Sequence, residues 1–202
     1  MQPQARASLT PSAPVGAPDS DEDLLRRFGA GDVAAFEALY ARYELRVFRY
    51  LLRNLRNRAL AQDLLQDTWF AVAREASRFE PFARFSAWLF RIAHNRMVDA
   101  VKAARPEASL EEMSGDGSSA LHAALICPHE PYLAAVASEE LAALLAALAQ
   151  LPAEQCQAFL LQQEGGLSVE EIAQACGCEF ETAKSRLRYA RAKLRELLGE
   201  ST

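Results

Sequence analysis

A row of basic side chains lies near the end of the chain. Lys184, Arg188, Arg191 and Arg195 recur at intervals of three and four residues, so they would share one face of an α-helix. Ammonium and guanidinium groups in such a row bind phosphate oxygens, which the backbone of DNA presents at regular spacing. A solvated helix in an ordinary helical bundle can carry the same row, so the basic face alone does not decide between the two.

The residues before and within this helix favour DNA binding. Ser168 and Glu171 have the spacing of a capping box, and Gly177 suits the left-handed position of a tight turn between helices. A second helix beginning near 179–182 carries an apolar stripe that we expect to be buried: Phe180, Ala183, Leu187, Ala190, Leu194 and Leu197. Two short helices with a glycine turn, the second basic, are typical of a helix-turn-helix whose recognition helix enters the major groove.

A helix expected over residues 58–78 has two different faces. The apolar face predicts a core contact and consists of Leu60, Leu64, Leu65, Thr68, Val72 and Ala76. The other face consists of Asp63, Gln66, Asp67, Phe70 and Arg74. An exposed phenylalanine among charged residues indicates a protein-binding surface, and the alternative is a solvated helix with one stray aromatic residue.

Aromatic and basic residues are concentrated between this helix and the next one. Residues 78–88 contain four aromatic side chains and two arginines. Aromatic rings can stack on unpaired bases while arginines hold the phosphate backbone. We expect Trp88 and one phenylalanine to belong to the core, and the loop 79–84 to be the part that touches nucleic acid. The alternative is that Phe82, Phe85 and Trp88 are all core residues.

The net charge of −5 argues against nucleic-acid binding until its distribution is considered. Residues 19–105 carry +3, residues 106–183 carry −13 without any Lys or Arg, and residues 184–202 carry +4. Two basic ends separated by an acidic middle fit two DNA contacts joined by a spacer, although chance segregation of surface charge would give the same pattern.

The apolar periodicity is helical and predicts an all-α protein with two small domains. Besides the helix-turn-helix pair, we expect helices near 20–29, 32–55, 58–78, 84–104, 133–149 and 153–163. The expected organisation is a disordered tail over 1–18, a four-helix domain over 19–105, a flexible acidic linker over 106–131 and a helix-turn-helix domain over 132–202.

Other kinds of site find little support in the residue pattern. Cys176 and Cys178 lack the further nearby ligands that zinc requires, and Cys178 fits a small buried position. His94 fits a structural position among apolar residues. No arrangement of nucleophile, base and acid is recognisable, so the sequence predicts no catalytic residue, no metal and no cofactor.

The compartment is predicted from what the chain lacks. It has no apolar run long enough to span a bilayer, and its first 18 residues do not resemble a secretory signal. The four cysteines fit reduced thiols rather than a disulfide framework. We therefore expect a cytoplasmic protein without membrane insertion.

Several segments resemble bacterial RNA polymerase sigma factors. Residues 61–70 (AQDLLQDTWF) are similar to the polymerase-binding segment of that family, and residues 85–95 (FSAWLFRIAHN) to the segment that follows it. Leu151-Pro152, residues 166–173 (GLSVEEIA) and residues 182–187 (TAKSRL) are similar to the sigma helix-turn-helix domain. Because these are the two domains present, the resemblance is to the extracytoplasmic function (ECF) group.

The resemblance implies a dissociable subunit that gives RNA polymerase its choice of promoter. The first domain would bind the clamp of the β′ subunit and would recognise and melt the −10 element. The second domain would bind the β flap and read the −35 element. An anti-sigma factor is the expected regulatory partner, and no enzymatic activity or cofactor is implied.

The resemblance also implies roles for individual residues. The polymerase-binding residues would be Asp63, Gln66, Asp67 and Phe70. The residues at the −10 element would be Arg78, Phe79, Phe82, Arg84, Arg91 and Asn95. The residues at the −35 element would be Thr182, Lys184, Ser185, Arg186, Arg188, Tyr189 and Arg191.

Two other functions remain open at the level of sequence. A stand-alone regulator would use its helix-turn-helix on an operator and its first domain for sensing or dimerisation. A helical adaptor that sequesters another factor would need no DNA-binding face. The surface around Asp63–Phe70 distinguishes the first of these from a sigma factor, and the basic residues of 184–195 argue against the second.

Overall fold

The computed structural model describes residues 19–79, 84–104 and 139–199, and every regular element within them is helical. The predicted all-α class is therefore confirmed. The elements are α1 (Asp21–Gly29), α2 (Val33–Leu55), α3 (Arg58–Glu75) with a 3₁₀ turn at Ala76–Arg78, α4 (Phe85–Ala103), α5 (Glu139–Leu148), α6 (Ala153–Gly165), α7 (Val169–Cys176) and α8 (Phe180–Leu197). The tail and the linker predicted from sequence lie outside the described residues, as does Phe82.

Short polar side chains start the helices of the N-terminal unit (19–79 and 84–104). The hydroxyl of Ser20 accepts a hydrogen bond from the amide of Asp23, and Asp32 does the same for Ala34 at 3.1 Å. Asn57 accepts from the amide of Leu60 at 3.1 Å. Each cap satisfies amides that have no partner within the helix, which places the helix starts within one or two residues of the predicted ones.

The N-terminal unit is built around α2. This helix packs against α1, α3 and α4. Its buried residues Leu39, Val47 and Leu51 lie at helical spacing, as an amphipathic helix requires. On one side Trp69 of α3 contacts Phe36 edge-on, with ring centroids 5.5 Å apart.

In the C-terminal unit (139–199), α7 and α8 pack against α6. Gly166 ends α6 with φ +66° and Gly177 ends α7 with φ +61°, a left-handed backbone that glycine adopts without strain. The predicted capping box is present, because Ser168 accepts from the amide of Glu171 and the Glu171 carboxylate accepts from the amide of Ser168. Helix α6 runs two residues beyond its predicted end at 163.

The two units pack against each other. Helix α2 lies against α6, and α4 lies against α7, so that the buried side chains of both units form one continuous core. At Gly165 the two units approach closely, since a β-carbon there would lie 3.2 Å from the ring of Phe90 of α4. The prediction of two domains on a flexible link contained no such interface.

Candidate nucleic-acid and polymerase interface

The outer face of α8 presents most of the residues predicted to contact a −35 element. Thr182, Lys184, Arg188, Tyr189 and Arg191 are exposed, and Ser185 is half-buried. The opposite face, with Ala183, Leu187, Ala190 and Leu194, is buried against the rest of the unit. The helix therefore offers a polar and basic face to solvent while the apolar stripe holds it in place.

Side chains on this face are held by local contacts. The Lys184 ammonium lies 3.2 Å from a Glu181 carboxylate oxygen and 5.7 Å from the centre of the Phe180 ring. The Arg188 guanidinium lies 4.8 Å from the centre of the Tyr189 ring. All of these groups are on the surface, so a phosphate can replace the carboxylate or approach the arginine without unfolding the helix.

One prediction on α8 requires correction, and one residue predicted to contact DNA has a partner within the protein. Phe180 is predicted to belong to the buried stripe, but it is 40% exposed and lies at the first residue of α8. Arg186 is predicted to belong to the DNA face, but its side chain is 21% exposed and pairs with Glu154 of α6. It lies between the basic face and the apolar stripe and ties α8 to α6.

The predicted polymerase-binding residues share one solvent-facing surface of α3. Asp63, Gln66, Asp67 and Phe70 are all exposed, and Phe70 reaches 72%, the largest exposed fraction among the large apolar side chains of the described residues. The adjoining face carries Leu64, Leu65, Thr68 and Val72 into the core, as expected, while Leu60 is only partly buried. Helix α3 thus has one face packed in the core and another face on which Phe70 is exposed to solvent.

The aromatic loop and α4 divide their residues between core and surface. Phe85 is fully buried, and Trp88 is partly buried with its ring centroid 5.1 Å from that of Phe79. Arg84, Arg91 and Asn95 are exposed. The expectation that one phenylalanine belongs to the core is confirmed for Phe85, whereas Phe79 packs on Trp88 rather than standing free. The side chain of Arg78, like residues 80–83, is outside the described part of the chain.

Comparison with known proteins assigns this arrangement to a family. Residues 39–107 match sigma-70 region 2 and residues 141–194 match sigma-70 region 4. The chain is 38% identical over 179 residues to the RNA polymerase sigma factor CarQ of Myxococcus xanthus, covering 87% of this chain and 96% of CarQ. It is 34% identical over 182 residues to the ECF RNA polymerase sigma factor SigM of Mycobacterium tuberculosis, covering 89% and 85%.

The chain belongs to the ECF sigma factors. Its role is therefore that of a promoter-specific transcription initiation factor. The fold agrees with two solved structures. The structure of CnrH in complex with the cytosolic domain of CnrY has a TM-score of 0.64 at 25% identity, covering 91% of this chain and all of CnrH. The sigma factor RpoE from Bartonella quintana, solved with the anti-sigma factor NepR, has a TM-score of 0.63 at 28% identity, covering 83% and 98%.

The interface between the two units of this sigma factor contains a cluster of charges that sequence reasoning missed. Glu164, near the end of α6, has a side chain only 7% exposed. One carboxylate oxygen accepts from Arg49 Nε at 3.1 Å and Nη2 at 3.0 Å, and the other accepts from Arg53 Nη1 at 2.5 Å. The Glu164 carbonyl oxygen accepts from Arg46 Nε at 2.7 Å. Three arginines of α2 therefore hold one residue of the other unit.

A second polar contact crosses the interface at the start of α7. Arg84 Nη1 donates to the carbonyl oxygen of Gly166 and to Glu171 Oε2, each at 3.2 Å. The same Glu171 oxygen accepts from the amide of Ser168 at 2.8 Å. The capping box of the helix-turn-helix thus also holds an arginine that is predicted to act at the −10 element.

Apolar packing surrounds His94 and two cysteines near this interface. His94 Nδ1 lies 2.8 Å from the hydroxyl of Tyr50, and burial lowers the pKa of His94 to about 4, with a further contribution from Arg186. Burial also raises the pKa of Cys156 and of Cys176 to about 12. His94 is accordingly a neutral structural residue, as predicted, and the two thiols stay protonated at neutral pH. Cys178, expected to be buried, is only partly so.

Metal-binding clusters and membrane spans are both missing from the described residues. No group of three or more His, Cys, Asp or Glu side chains in the described ranges is arranged to hold a metal ion. Within the same part of the chain, no helix has the length and apolar character needed to cross a membrane.

Proposed function

We propose that this sigma factor binds RNA polymerase core through the exposed face of α3 and reads the −35 element with the outer face of α8. The observation that carries the proposal is the high exposure of Phe70 among Asp63, Gln66 and Asp67. An aromatic side chain left in water at the centre of a polar surface is typical of the anchor of a protein interface.

The proposed roles on α8 follow from its two ends. Thr182, Lys184 and Ser185 lie near the N-terminus of the helix, where a recognition helix meets base edges. Arg188 and Arg191 lie further along and would neutralise phosphates, which sets affinity rather than sequence preference. Arg186 is left out of this set, because its partner Glu154 holds it beside α6.

The −10 element is assigned to the N-terminal unit. Arg91 and Asn95 face solvent one helical turn apart on α4, and Arg84 precedes that helix. These donors would hold the backbone of a separated strand while the aromatic loop at 79–84 takes unstacked bases, which offsets a few kcal/mol of unstacking per base. An anti-sigma factor and the β′ clamp and β flap of polymerase are the proposed protein partners.

Binding both promoter elements requires the two units to separate. Elements centred on −35 and −10 are about 25 base pairs apart, which is roughly 85 Å along a straight duplex at about 3.4 Å per base pair. A compact chain of 202 residues has a radius of gyration of about 17 Å, so its diameter is roughly half of that span. The packed arrangement of α2 on α6 and α4 on α7 must therefore open when promoter is bound.

Transcription reconstituted with purified core polymerase tests the function. The wild-type protein is expected to direct initiation from specific fragments of its own genome, and absence of specific initiation from every fragment would refute the proposal. The double substitution Asp67→Ala and Phe70→Ala is expected to weaken core binding by at least about 30-fold, since loss of a central aromatic anchor costs about 2 kcal/mol or more.

Gln62→Ala is the matched control, because Gln62 is exposed on the same helix and is not one of the four proposed contact residues. It should leave core binding unchanged. Equal core affinity of the double variant and the control would remove the α3 face from the assignment. A stand-alone regulator would show this result together with binding to an operator in the absence of polymerase.

A further inference from the structure

We propose that Glu164 is an intramolecular latch, which keeps the two units of this sigma factor packed until polymerase or promoter separates them. The inference rests on the proposed function, because the closed arrangement is inhibitory only if both promoter elements have to be reached at once. It goes beyond that function by placing a resting, self-inhibited state in the isolated chain and by naming the side chains that maintain it.

The position of Glu164 gives it control of the interface. It lies one residue before Gly165, where a β-carbon would meet the ring of Phe90 of α4. Its carboxylate is almost completely removed from water and is satisfied by Arg49 and Arg53, both on the other unit. A carboxylate buried in this way is stable only while its partners remain, so the ion pairs and the packing of the units form and break together.

The arginines show that the arrangement is specific. Arg46, Arg49 and Arg53 are three and four residues apart on α2 and converge on the carbonyl and the carboxylate of one residue. Arg–carboxylate geometry is directional, so this convergence fixes the orientation of α6 on α2 rather than merely attracting it. On the other side of the interface, Arg84 binds both Gly166 and Glu171 and fixes the start of α7.

The closed arrangement engages parts of both promoter-reading units. Arg84, proposed to hold the melted strand, is bound to the helix-turn-helix. Helix α7, the first helix of that motif, packs on α4, whereas in complexes with DNA the first helix of such a motif lies across the duplex backbone. Together with the distance between the promoter elements, these contacts make the closed chain unable to occupy a complete promoter.

The latch reduces the apparent affinity of the chain for its targets by a predictable factor. If the fraction of open chain is f, the apparent dissociation constant for a partner that needs the open form is the intrinsic constant divided by f. Core polymerase is such a partner because its proposed contacts lie on both units, the β′ clamp on the N-terminal unit and the β flap on the C-terminal unit. Any substitution that raises f should therefore strengthen this two-unit binding of core polymerase by the same factor, until the chain is fully open.

Small-angle X-ray scattering on the full chain, combined with core-binding titrations, tests the latch. The variant is Glu164→Gln, which removes the charge and keeps the shape, and the control is Glu170→Gln, which makes the same charge change at an exposed position of α7. We expect the wild type and the control to be compact and Glu164→Gln to have a larger radius of gyration. Glu164→Gln should also bind core polymerase more tightly than the wild type, by the ratio of their fractions of open chain. The pair Arg49→Gln and Arg53→Gln should reproduce both effects from the other side of the interface.

Each contrary result has a definite meaning. An extended wild type, or a Glu164→Gln variant with the scattering profile of the wild type, overturns the latch. Opening without a change in core affinity overturns its inhibitory role. If Glu164→Gln loses helicity by circular dichroism, the arginine pair decides in its place. Failure of the proposed function gives a different result, because neither the wild type nor any variant would then bind core polymerase or initiate transcription. The inhibitory role would be rejected in that case, while scattering would still show whether Glu164 keeps the two units packed.

Discussion

Two rows of basic residues with the same helical spacing have opposite roles in this molecule. On α2, Arg46, Arg49 and Arg53 point at Glu164 and close the interface between the units. On α8, Lys184, Arg188 and Arg191 face solvent and bind surface groups. The difference lies in what each helix packs against, so basic periodicity by itself predicts a shared face but not the ligand of that face.

The largest effect should come from removing the arginine pair of the first row. Arg49→Gln with Arg53→Gln leaves the buried Glu164 without charged partners, and breaking a buried pair in this way costs about 3–5 kcal/mol. Separation of the units, which returns Glu164 to water, limits the loss. Urea unfolding followed by circular dichroism should show the decrease, or two transitions in place of one.

The second row continues along α8 to Arg195, and its matched pair of substitutions is Arg188→Gln with Arg195→Gln. Both residues are exposed, so this variant should unfold within about 0.5 kcal/mol of the wild type. If the α2 pair and the α8 pair lower the free energy of unfolding equally, the α2 arginines do not stabilise the fold more than the α8 arginines, and the comparison between the two rows is wrong.

Local features of the sequence are enough to place the helices. Ser20, Asp32, Asn57 and Ser168 each cap a helix start, and Gly177 forms the predicted turn. These signals are short-range, since a cap binds an amide two or three residues away. The exposed face of α3 is equally accessible to sequence reasoning, because its residues share a helical spacing distinct from that of the core stripe.

The interface between the units depends on pairs that are far apart in sequence. Arg49 and Glu164 are separated by 115 residues, and nothing in the local pattern of either helix indicates the other. Phe180 is misplaced by the sequence pattern for a related reason. Periodicity assigns a residue to a side of a helix, whereas its burial depends on how far the neighbouring helices extend along that side.

Acid should destabilise the folded chain through His94. His94 is buried beside Tyr50, and its pKa is lowered from 6.5 to about 4 by burial and by Arg186. Because the unfolded chain binds more protons than the native chain between these two pH values, stability should fall as the pH drops from about 6.5 to about 4, by about 3 kcal/mol in all. Thermal or urea unfolding across this range measures the slope.

The comparison variant is His94→Gln, which can still hydrogen-bond to the Tyr50 hydroxyl but does not titrate. It should flatten the pH dependence between about 4 and 6.5. An unchanged slope in this variant would assign the acid sensitivity to other groups.

The salt dependence of DNA binding should respond to the second row alone. Lys184→Ala and Arg188→Ala should each lower the slope of log affinity against log salt on a short −35 duplex, by about 0.9 for every phosphate that is no longer neutralised. The pair Arg49→Gln and Arg53→Gln should leave this slope unchanged, since those arginines face Glu164. Titrations by fluorescence anisotropy at several salt concentrations separate the two outcomes, and a reduced slope in the α2 variant would show that its row also reaches phosphate.

The smallest expected effect compares how the two helices of the DNA-binding motif begin. Helix α7 has a capping box, in which Ser168 accepts from the amide of Glu171 at 3.2 Å, whereas the side chain of Glu179 makes no such bond at the start of α8. Ser168→Ala should therefore cost about 1 kcal/mol of unfolding free energy, and Glu179→Ala only a few tenths. Because Glu171 also binds Arg84, combining Ser168→Ala with Arg84→Ala should give less than the sum of the single losses if the cap and the interface share one carboxylate. Strict additivity would mean that the helix start and the contact between the units are stabilised independently.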